Sequence, residues 1–294
     1  MTEVLAIFGP TAVGKTGVAI AVAEGLRERG EDPVAVNCDS IQVYRGLEVL
    51  SGAATEEERA LLEHRLLGII GPEEEFSAGR FAELAHAEID GLLSEGRRPI
   101  LVGGTGLYLR AALSDLDLRP AVPAQIRAQV EREVSERGPE ALHAELDPDV
   151  AATVHPNDRK RIARWTELQR AGIEPPASSE RLWSERLRHP TLLVGLTMER
   201  DALSERIDVR VDQMAAAGAG EEAEGAEGRG ASRTARAALG FGEFLDSDLD
   251  AVKAAHRAYA RRQLTWMRKM EGVRLIDRTG RSDDEVAAEI VSEL

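Results

Sequence analysis

Eight consecutive residues, Gly9-Pro10-Thr11-Ala12-Val13-Gly14-Lys15-Thr16, match the spacing G-x-x-x-x-G-K-[ST]. Their types suit a phosphate. Glycines let backbone N–H groups turn inward and approach an anion closely, and a helix that follows adds its positive end. Lys15 supplies a point charge and Thr16 a hydroxyl for Mg2+. The residues do not say which phosphate is held, because ATP, GTP and an allylic diphosphate present the same charge pattern. A second cluster, Asp39-Ser40-Ile41-Gln42-Val43-Tyr44-Arg45, carries a carboxylate that can hold Mg2+, accept a proton or merely cap a turn. Gln42 has the paired amide groups that adenine reading requires. A third, Gly103-Gly104-Thr105-Gly106-Leu107-Tyr108, permits close backbone approach and offers the Thr105 hydroxyl, or else packs a strand-to-helix turn.

Positive charge gathers in His155-Pro156-Asn157-Asp158-Arg159-Lys160-Arg161, which opens a helix continued by Arg164. Phosphate contacts need clustered charge but no strict spacing, so Lys160, Arg161 and Arg164 are candidates for an RNA backbone, against the alternative of a solvated helix face. Trp165 reads as core rather than as a base-stacking platform. A second basic stretch, Arg257, Arg261, Arg262, Arg268 and Lys269, is expected to turn some members toward the phosphate site. The six histidines show no metal-ligand spacing, and Cys38 reads as a small buried residue, neither zinc ligand nor nucleophile.

These clusters need elements to position them. An apolar run, Val4 to Phe8, precedes the glycine loop, and Val18, Val22 and Leu26 recur at helical spacing after it. Strands are expected at Pro33–Cys38, Pro99–Val102 and Thr191–Leu196, and helices at 56–67 and 79–95. Strands alternating with helices predict a parallel α/β sheet, whose ligands sit beyond the carboxyl ends of the strands. The loops 9–16, 39–45 and 103–108 all lie there. Residues 117–186 contain no convincing strand. They read as helices at 124–137, 139–146 and 158–171, broken by prolines at 120, 123, 139, 148, 156, 175 and 176. This predicts a helical insertion, 117–186, in a core made of 1–116 and 187–294. Long helices are expected at 198–216 and 248–271. The Ala-, Gly- and Glu-rich stretch 215–230 between them could extend a helix weakly, but reads first as a solvated surface loop.

Composition bounds the function. The chain has 294 residues, 43% of them hydrophobic and 30% charged, enough for a real core. Its formal net charge of −15 argues against a general nucleic-acid coat, though not against a local basic groove. Only four basic residues are lysines, so Lys15 inside the glycine loop stands out. There is no run of about 18 apolar residues and no secretory signal, and a single cysteine forms no internal disulfide. A cytoplasmic protein, away from membranes, is expected.

Taken together, the chain resembles the tRNA dimethylallyltransferase (tRNA isopentenyltransferase) family. The carriers are GPTAVGKT at 9–16, DSIQVYRGL at 39–47, HRLLGI at 64–69, FSAGRF at 76–81, LVGGTGLYLRAAL at 101–113, HPNDRKRIAR at 155–164 and YARRQLTWMR at 259–268. The resemblance implies a P-loop NTPase-like core with a helical tRNA-binding insertion. It implies transfer of a dimethylallyl group from its diphosphate to the exocyclic amine of the adenosine just 3′ of the anticodon, with Mg2+ as cofactor. Gly9 to Thr16 would hold the diphosphate, with Lys15 and Thr16 neutralising the leaving group. Asp39 would be the general base, Ser40, Ile41 and Gln42 would line the adenine pocket, and Thr105 would contact the tRNA at the reaction channel. Arg127, Lys160, Arg161 and Arg164 would grip the anticodon arm, and the enzyme would act as a monomer.

The sequence also departs from the family. Members usually carry a basic residue after a Gly-aromatic pair, but here the stretch is Gly240-Phe241-Gly242-Glu243, with Arg233 or Arg236 as candidate stand-ins. The stretch before this motif is unusually rich in Gly and Glu. Leu50-Ser51-Gly52-Ala53 lacks a second expected basic residue. Three alternatives stay open: a prenyltransferase acting on a free adenine nucleotide, an ATP-dependent small-molecule kinase, and a tRNA-binding relative without catalysis.

Overall fold

The computed structural model describes residues 3–116, 122–173 and 186–294. The chain divides into two compact units, Met1–Leu116 with Glu185–Leu294, and Asp117–Ser184. The expected prolines at 120, 175 and 176 lie outside the described residues.

The first unit is built on a six-stranded sheet: β1 (Val4–Phe8), β2 (Pro33–Asn37), β3 (His64–Arg65), β4 (Arg98–Gly103), β5 (Thr191–Thr197) and β6 (Val273–Asp277). Its order is β3-β2-β4-β1-β5-β6 and every pairing is parallel. Central β1 reads as an unbroken apolar run because it is buried on both of its faces. Burying each such Val, Leu, Ile or Phe contributes roughly 1.5–3 kcal/mol. Parallel strands bring their carboxyl ends to one edge, and β2, β4 and β1 are consecutive neighbours there. The clusters that follow them, at Asp39, Gly103 and Gly9, are therefore adjacent.

The helix Lys15–Glu28 leaves the glycine loop and buries Val18, Val22 and Leu26, the stripe expected from the sequence. Its close neighbour is the helix Asp283–Val291, which starts with a Ser282–Glu285 capping box. Neither β6 nor this helix is foreseen by the sequence reading. β6 is an edge strand with three exposed positions in five, so it lacks the apolar run that marks the inner strands. The helix expected over 248–271 is Leu249–Met267, and the chain turns into β6 after it.

Two expectations are corrected. The helix expected over 56–67 stops at Leu61, and His64–Arg65 adds the short edge strand β3 beside β2. The stretch 215–230 is not a loop but contains the helix Ala219–Gly228, with Ala219, Ala223 and Ala226 fully buried. Alanine stripes give little hydrophobic contrast, yet they allow close packing against the helices Phe241–Leu245 and Glu48–Ser51. From this helix Glu222 accepts hydrogen bonds from the N–H groups of Val49 (3.0 Å) and Leu50 (2.8 Å), satisfying the start of Glu48–Ser51.

The second unit contains the helices Ala124–Arg137, Pro139–His143, Pro148–Ala151 and Arg159–Arg170. Val130, Val134, Leu142, Leu146, Val150, Val154 and Ile162 form its core, and Trp165 packs against them, as its core reading predicts. No helix among the described residues is long and apolar enough to cross a membrane.

Candidate active site at the strand ends

The glycine loop passes through two residues of positive φ, Ala12 (62°) and Gly14 (93°), before the helix begins. The left-handed φ of Gly14 favours glycine there, and a Cβ would also lie 1.6 Å from a guanidinium nitrogen of Arg278. Lys15 folds back over the loop and its Nζ donates to the carbonyls of Pro10 (3.0 Å) and Gly9 (3.3 Å). Burial and the neighbouring positive Arg210 push its pKa down to about 8, while Asp39 pulls the other way. The Gly14 N–H donates to nothing among the described residues, and the first-turn amides of a helix have no intrahelical acceptor. The loop thus offers amides and a lysine to an anion, with the Thr16 hydroxyl close at hand.

Asp39 performs two tasks. Its Oδ1 accepts the N–H of Ile41 at 2.9 Å, the turn cap considered from sequence, and its Oδ2 accepts the Thr105 hydroxyl at 3.3 Å. The Thr105 oxygen in turn accepts the Ser40 N–H at 3.4 Å and lies 3.5 Å from the Tyr259 hydroxyl. Burial pushes the Tyr259 phenol up to about 12, so it stays protonated across the physiological range. Beneath the acid, buried Asn37 accepts the Asp39 N–H (3.0 Å) and donates to the carbonyls of Asp39 (3.2 Å) and Leu66 (3.0 Å). Gln42 directs its amide to its own surroundings, donating to the Gly52 carbonyl at 3.1 Å.

Several residues that sequence reasoning missed tie these loops together. Gln263 accepts the Thr11 N–H and donates to the Gly104 carbonyl, both at 2.8 Å, and so joins the phosphate loop to the Thr105 loop. The signal was present: Gln263 interrupts an otherwise largely apolar buried stripe, His256, Ala260, Gln263 and Met267, on its helix. From the helix Arg200–Ala216, Arg206 donates to the Ala12 carbonyl (3.0 Å) and Arg210 to the Gly52 carbonyl (3.1 Å). These two arginines stand beside the phosphate loop. The candidates Arg233 and Arg236 instead make ion pairs with Glu75 and Glu227. Gly242 is exposed, and a Cβ there would meet nothing within 4 Å.

Of the basic stretch of the C-terminal helix, three members lie in another cleft and one lies beside Tyr259, next to Thr105. Arg257, Arg261 and Arg268 line a separate cleft with Arg200, Asp201 and Leu203, and Arg257 is paired with Asp208. Arg262 lies over the Tyr259 ring at 5.5 Å. Cys38 is fully buried and its thiol is pushed far up by burial, which fits a core residue and not a nucleophile.

In the second unit, Lys160 and Arg161 are exposed on the helix Arg159–Arg170. Arg161 lies 3.5 Å from Asp158 and Arg164 3.0 Å from Glu167. Arg127 is half-buried on Ala124–Arg137. The structure thus brings Gly9 to Thr16, Asp39 to Gln42 and Thr105 together at one sheet edge, while Arg127, Lys160, Arg161 and Arg164 belong to the other unit.

Known proteins resemble this chain in sequence and fold. The sequence profile of the IPP transferase family matches residues 42–270. A tRNA dimethylallyltransferase of Anaeromyxobacter sp. (strain Fw109-5) is 41% identical over 297 residues, covering 97% of each chain. That of Acetivibrio thermocellus is 36% identical, covering 97% of this chain and 95% of its own. Among solved structures, the tRNA isopentenylpyrophosphate transferase of Bacillus halodurans superposes with a TM-score of 0.72 at 34% identity, covering 100% and 95% of the two chains. A eukaryotic dimethylallyltransferase acting on tRNA superposes with a TM-score of 0.75 at 26% identity, covering 95% of this chain and 74% of its own. With profile, full-length relatives and fold in agreement, the chain belongs to the tRNA dimethylallyltransferase family and is a prenyltransferase that modifies tRNA.

Proposed function

We propose that the chain transfers the dimethylallyl group of dimethylallyl diphosphate to N6 of the adenosine immediately 3′ of the anticodon. The observation that carries this reading is the adjacency of two half-sites at neighbouring strand ends: an anion cradle at Gly9–Thr16 and an acid held by Thr105 and Ile41. In the reaction the adenine N6 forms a bond to C1 of the allyl group. The C1–O bond breaks, and diphosphate leaves with the electron pair. Asp39 accepts the N6 proton, a role worth about 10²–10⁴-fold in rate. Lys15, Arg210 and the loop amides stabilise the charge that builds on the diphosphate. Thr105 and Asn37 keep the carboxylate aimed, and Tyr259 supports Thr105.

Mg2+ belongs to the proposal. No group of three or more His, Cys, Asp or Glu that could hold a metal exists among the described residues. The donor set fits an ion held by the Thr16 hydroxyl together with the diphosphate's own oxygens, the usual arrangement for Mg2+ at such loops. When bound, the ion would neutralise part of the leaving group's charge.

The adenosine must leave its stack to reach a site at the sheet edge. We assign Arg127, Lys160, Arg161 and Arg164 to the phosphates of the anticodon arm, supported by the exposure of Lys160 and Arg161. The proposal places the reaction in the cytoplasm and in a single chain. The test is mass spectrometry of products from purified protein, dimethylallyl diphosphate, Mg2+ and an unmodified tRNA, with AMP as a parallel acceptor. Prenylated adenosine at the position 3′ of the anticodon, and none on AMP, is expected. Product on AMP alone, or on neither acceptor, would overturn the reading.

A further inference from the structure

β6 is followed by a residue that no motif accounts for. Arg278 is 6% exposed, and its Nη1 donates to the Val13 carbonyl at 2.7 Å across 265 residues of chain. Its Nη2 pairs with Asp283 Oδ1 at 2.7 Å, and its N–H donates to the Thr197 carbonyl at 3.1 Å. Asp283 opens the helix Asp283–Val291, which packs along Lys15–Glu28. The two partners crowd Gly14 of the phosphate loop and Gly17 in the first turn of the helix that follows it. A Cβ on Gly14 would lie 1.6 Å from Arg278, and one on Gly17 2.1 Å from Asp283.

A buried guanidinium carries a desolvation cost that a methionine of similar length would avoid, so the packing does not by itself call for charge. The carbonyl it holds does. Val13 C=O and Gly14 N–H belong to one planar trans peptide and point in opposite directions. Fixing the carbonyl toward Arg278 therefore turns the Gly14 N–H away from it, and this N–H donates to nothing among the described residues. A charged donor at 2.7 Å is the strong kind of hydrogen bond for holding a peptide against rotation.

We propose that Arg278 is a positioning residue for the diphosphate. Through the Val13 carbonyl it fixes the peptide whose N–H meets the leaving group, and through Asp283 it couples the C-terminal helix to the loop's affinity for that anion. This rests on the reading above, in which the loop holds diphosphate.

The test titrates inorganic diphosphate with Mg2+ into the full-length wild type, Arg278→Met, Arg278→Lys and Asp283→Asn by calorimetry. KM for dimethylallyl diphosphate and for tRNA is measured on the same proteins. Arg278→Met is expected to weaken diphosphate about tenfold, the scale of one charged hydrogen bond, and to raise KM for the allylic substrate equally. KM for tRNA should stay within about twofold, since the loop amides are assigned to diphosphate and not to RNA. Arg278→Lys should recover part of the loss. Asp283→Asn, which leaves the Val13 contact in place, should lose less than Arg278→Met.

Arg278→Met binding diphosphate as the wild type does, even with a lowered melting temperature, would make Arg278 a structural brace only and overturn the proposal. Should Arg278→Met not fold, wild-type affinity in both Arg278→Lys and Asp283→Asn would overturn it equally. A wild type that binds diphosphate but transfers no prenyl group would sink the functional reading instead. The titrations would then still decide Arg278.

Discussion

The strand-end loops of the first unit and the basic helix of the second handle polar groups in opposite ways. At the loops nearly every functional side chain is tethered: Asp39 by Ile41 and Thr105, Lys15 by Gly9 and Pro10, Gln263 by Thr11 and Gly104. On Arg159–Arg170, Lys160 has no partner among the described residues, and the Arg161 side chain is 70% exposed. Its opposite face, with Ile162, Thr166 and Leu168, is buried. Bond making needs an atom held in place, whereas attraction to a phosphate chain needs charge more than geometry. Damage to the first region should therefore appear in turnover or in diphosphate affinity, and damage to the second in tRNA affinity and its salt dependence.

The sharpest way to break this contrast is Asp39→Ala. Turnover is expected to fall by about 10²–10⁴ with KM for tRNA nearly unchanged, read from prenylated product over time. Turnover near the wild-type value would reduce Asp39 to a cap on its own turn.

The next test uses pH. Lys15 holds its proton below about pH 8 and loses it above, well before an ordinary lysine. The charged form binds diphosphate, so affinity should fall as pH rises through that value. Between pH 8 and 9 binding should take up a proton, visible as a buffer-dependent calorimetric heat that Lys15→Met lacks. A heat that does not depend on the buffer would show that Lys15 is not the titrating group.

Removing charge from the other region should look different. The pair Lys160→Ala and Arg161→Ala should raise KM for tRNA severalfold and lower the salt slope of log KM by about 0.7–0.9 per residue. The turnover number at saturating tRNA should not move, and a large drop in it would erase the distinction between the two regions. The smallest effect is expected from Gly242→Lys. The position is exposed and open, so stability should change by less than about 0.5 kcal/mol in thermal melts. Turnover should change by under about threefold, because Arg206 and Arg210 already stand beside the loop. A large gain would show that the loop lacks charge.

Much of this was legible in the residues themselves, because local rules govern it. The glycine loop, the stripe Val18–Val22–Leu26 and the acid after β2 announce themselves through spacing within a few positions. The helix Ala219–Gly228 was hidden because alanine buries without hydrophobic contrast. β6 was hidden because an edge strand shows water half of its residues. Gln263 and Arg278 were hidden for another reason. Their contacts to the phosphate loop span 252 and 265 residues, and only the assembled sheet brings those segments to one edge. Arg206 and Arg210 likewise sit on a helix whose partner the sequence does not name. Motifs thus exposed the groups proposed to meet substrate, and the fold was needed to find the groups that hold them.

The chain's single thiol belongs to Cys38, just past the end of β2, and is sealed at 0% exposure with its Sγ 3.8 Å from the Val36 carbonyl. With no second cysteine to confuse the signal, it is an internal clock for the central sheet. A thiol-reactive dye cannot reach Cys38 while β2 and β4 stay zipped, so its labelling rate counts the openings of the layer that carries both half-sites. Ligands that tighten either loop should slow that clock.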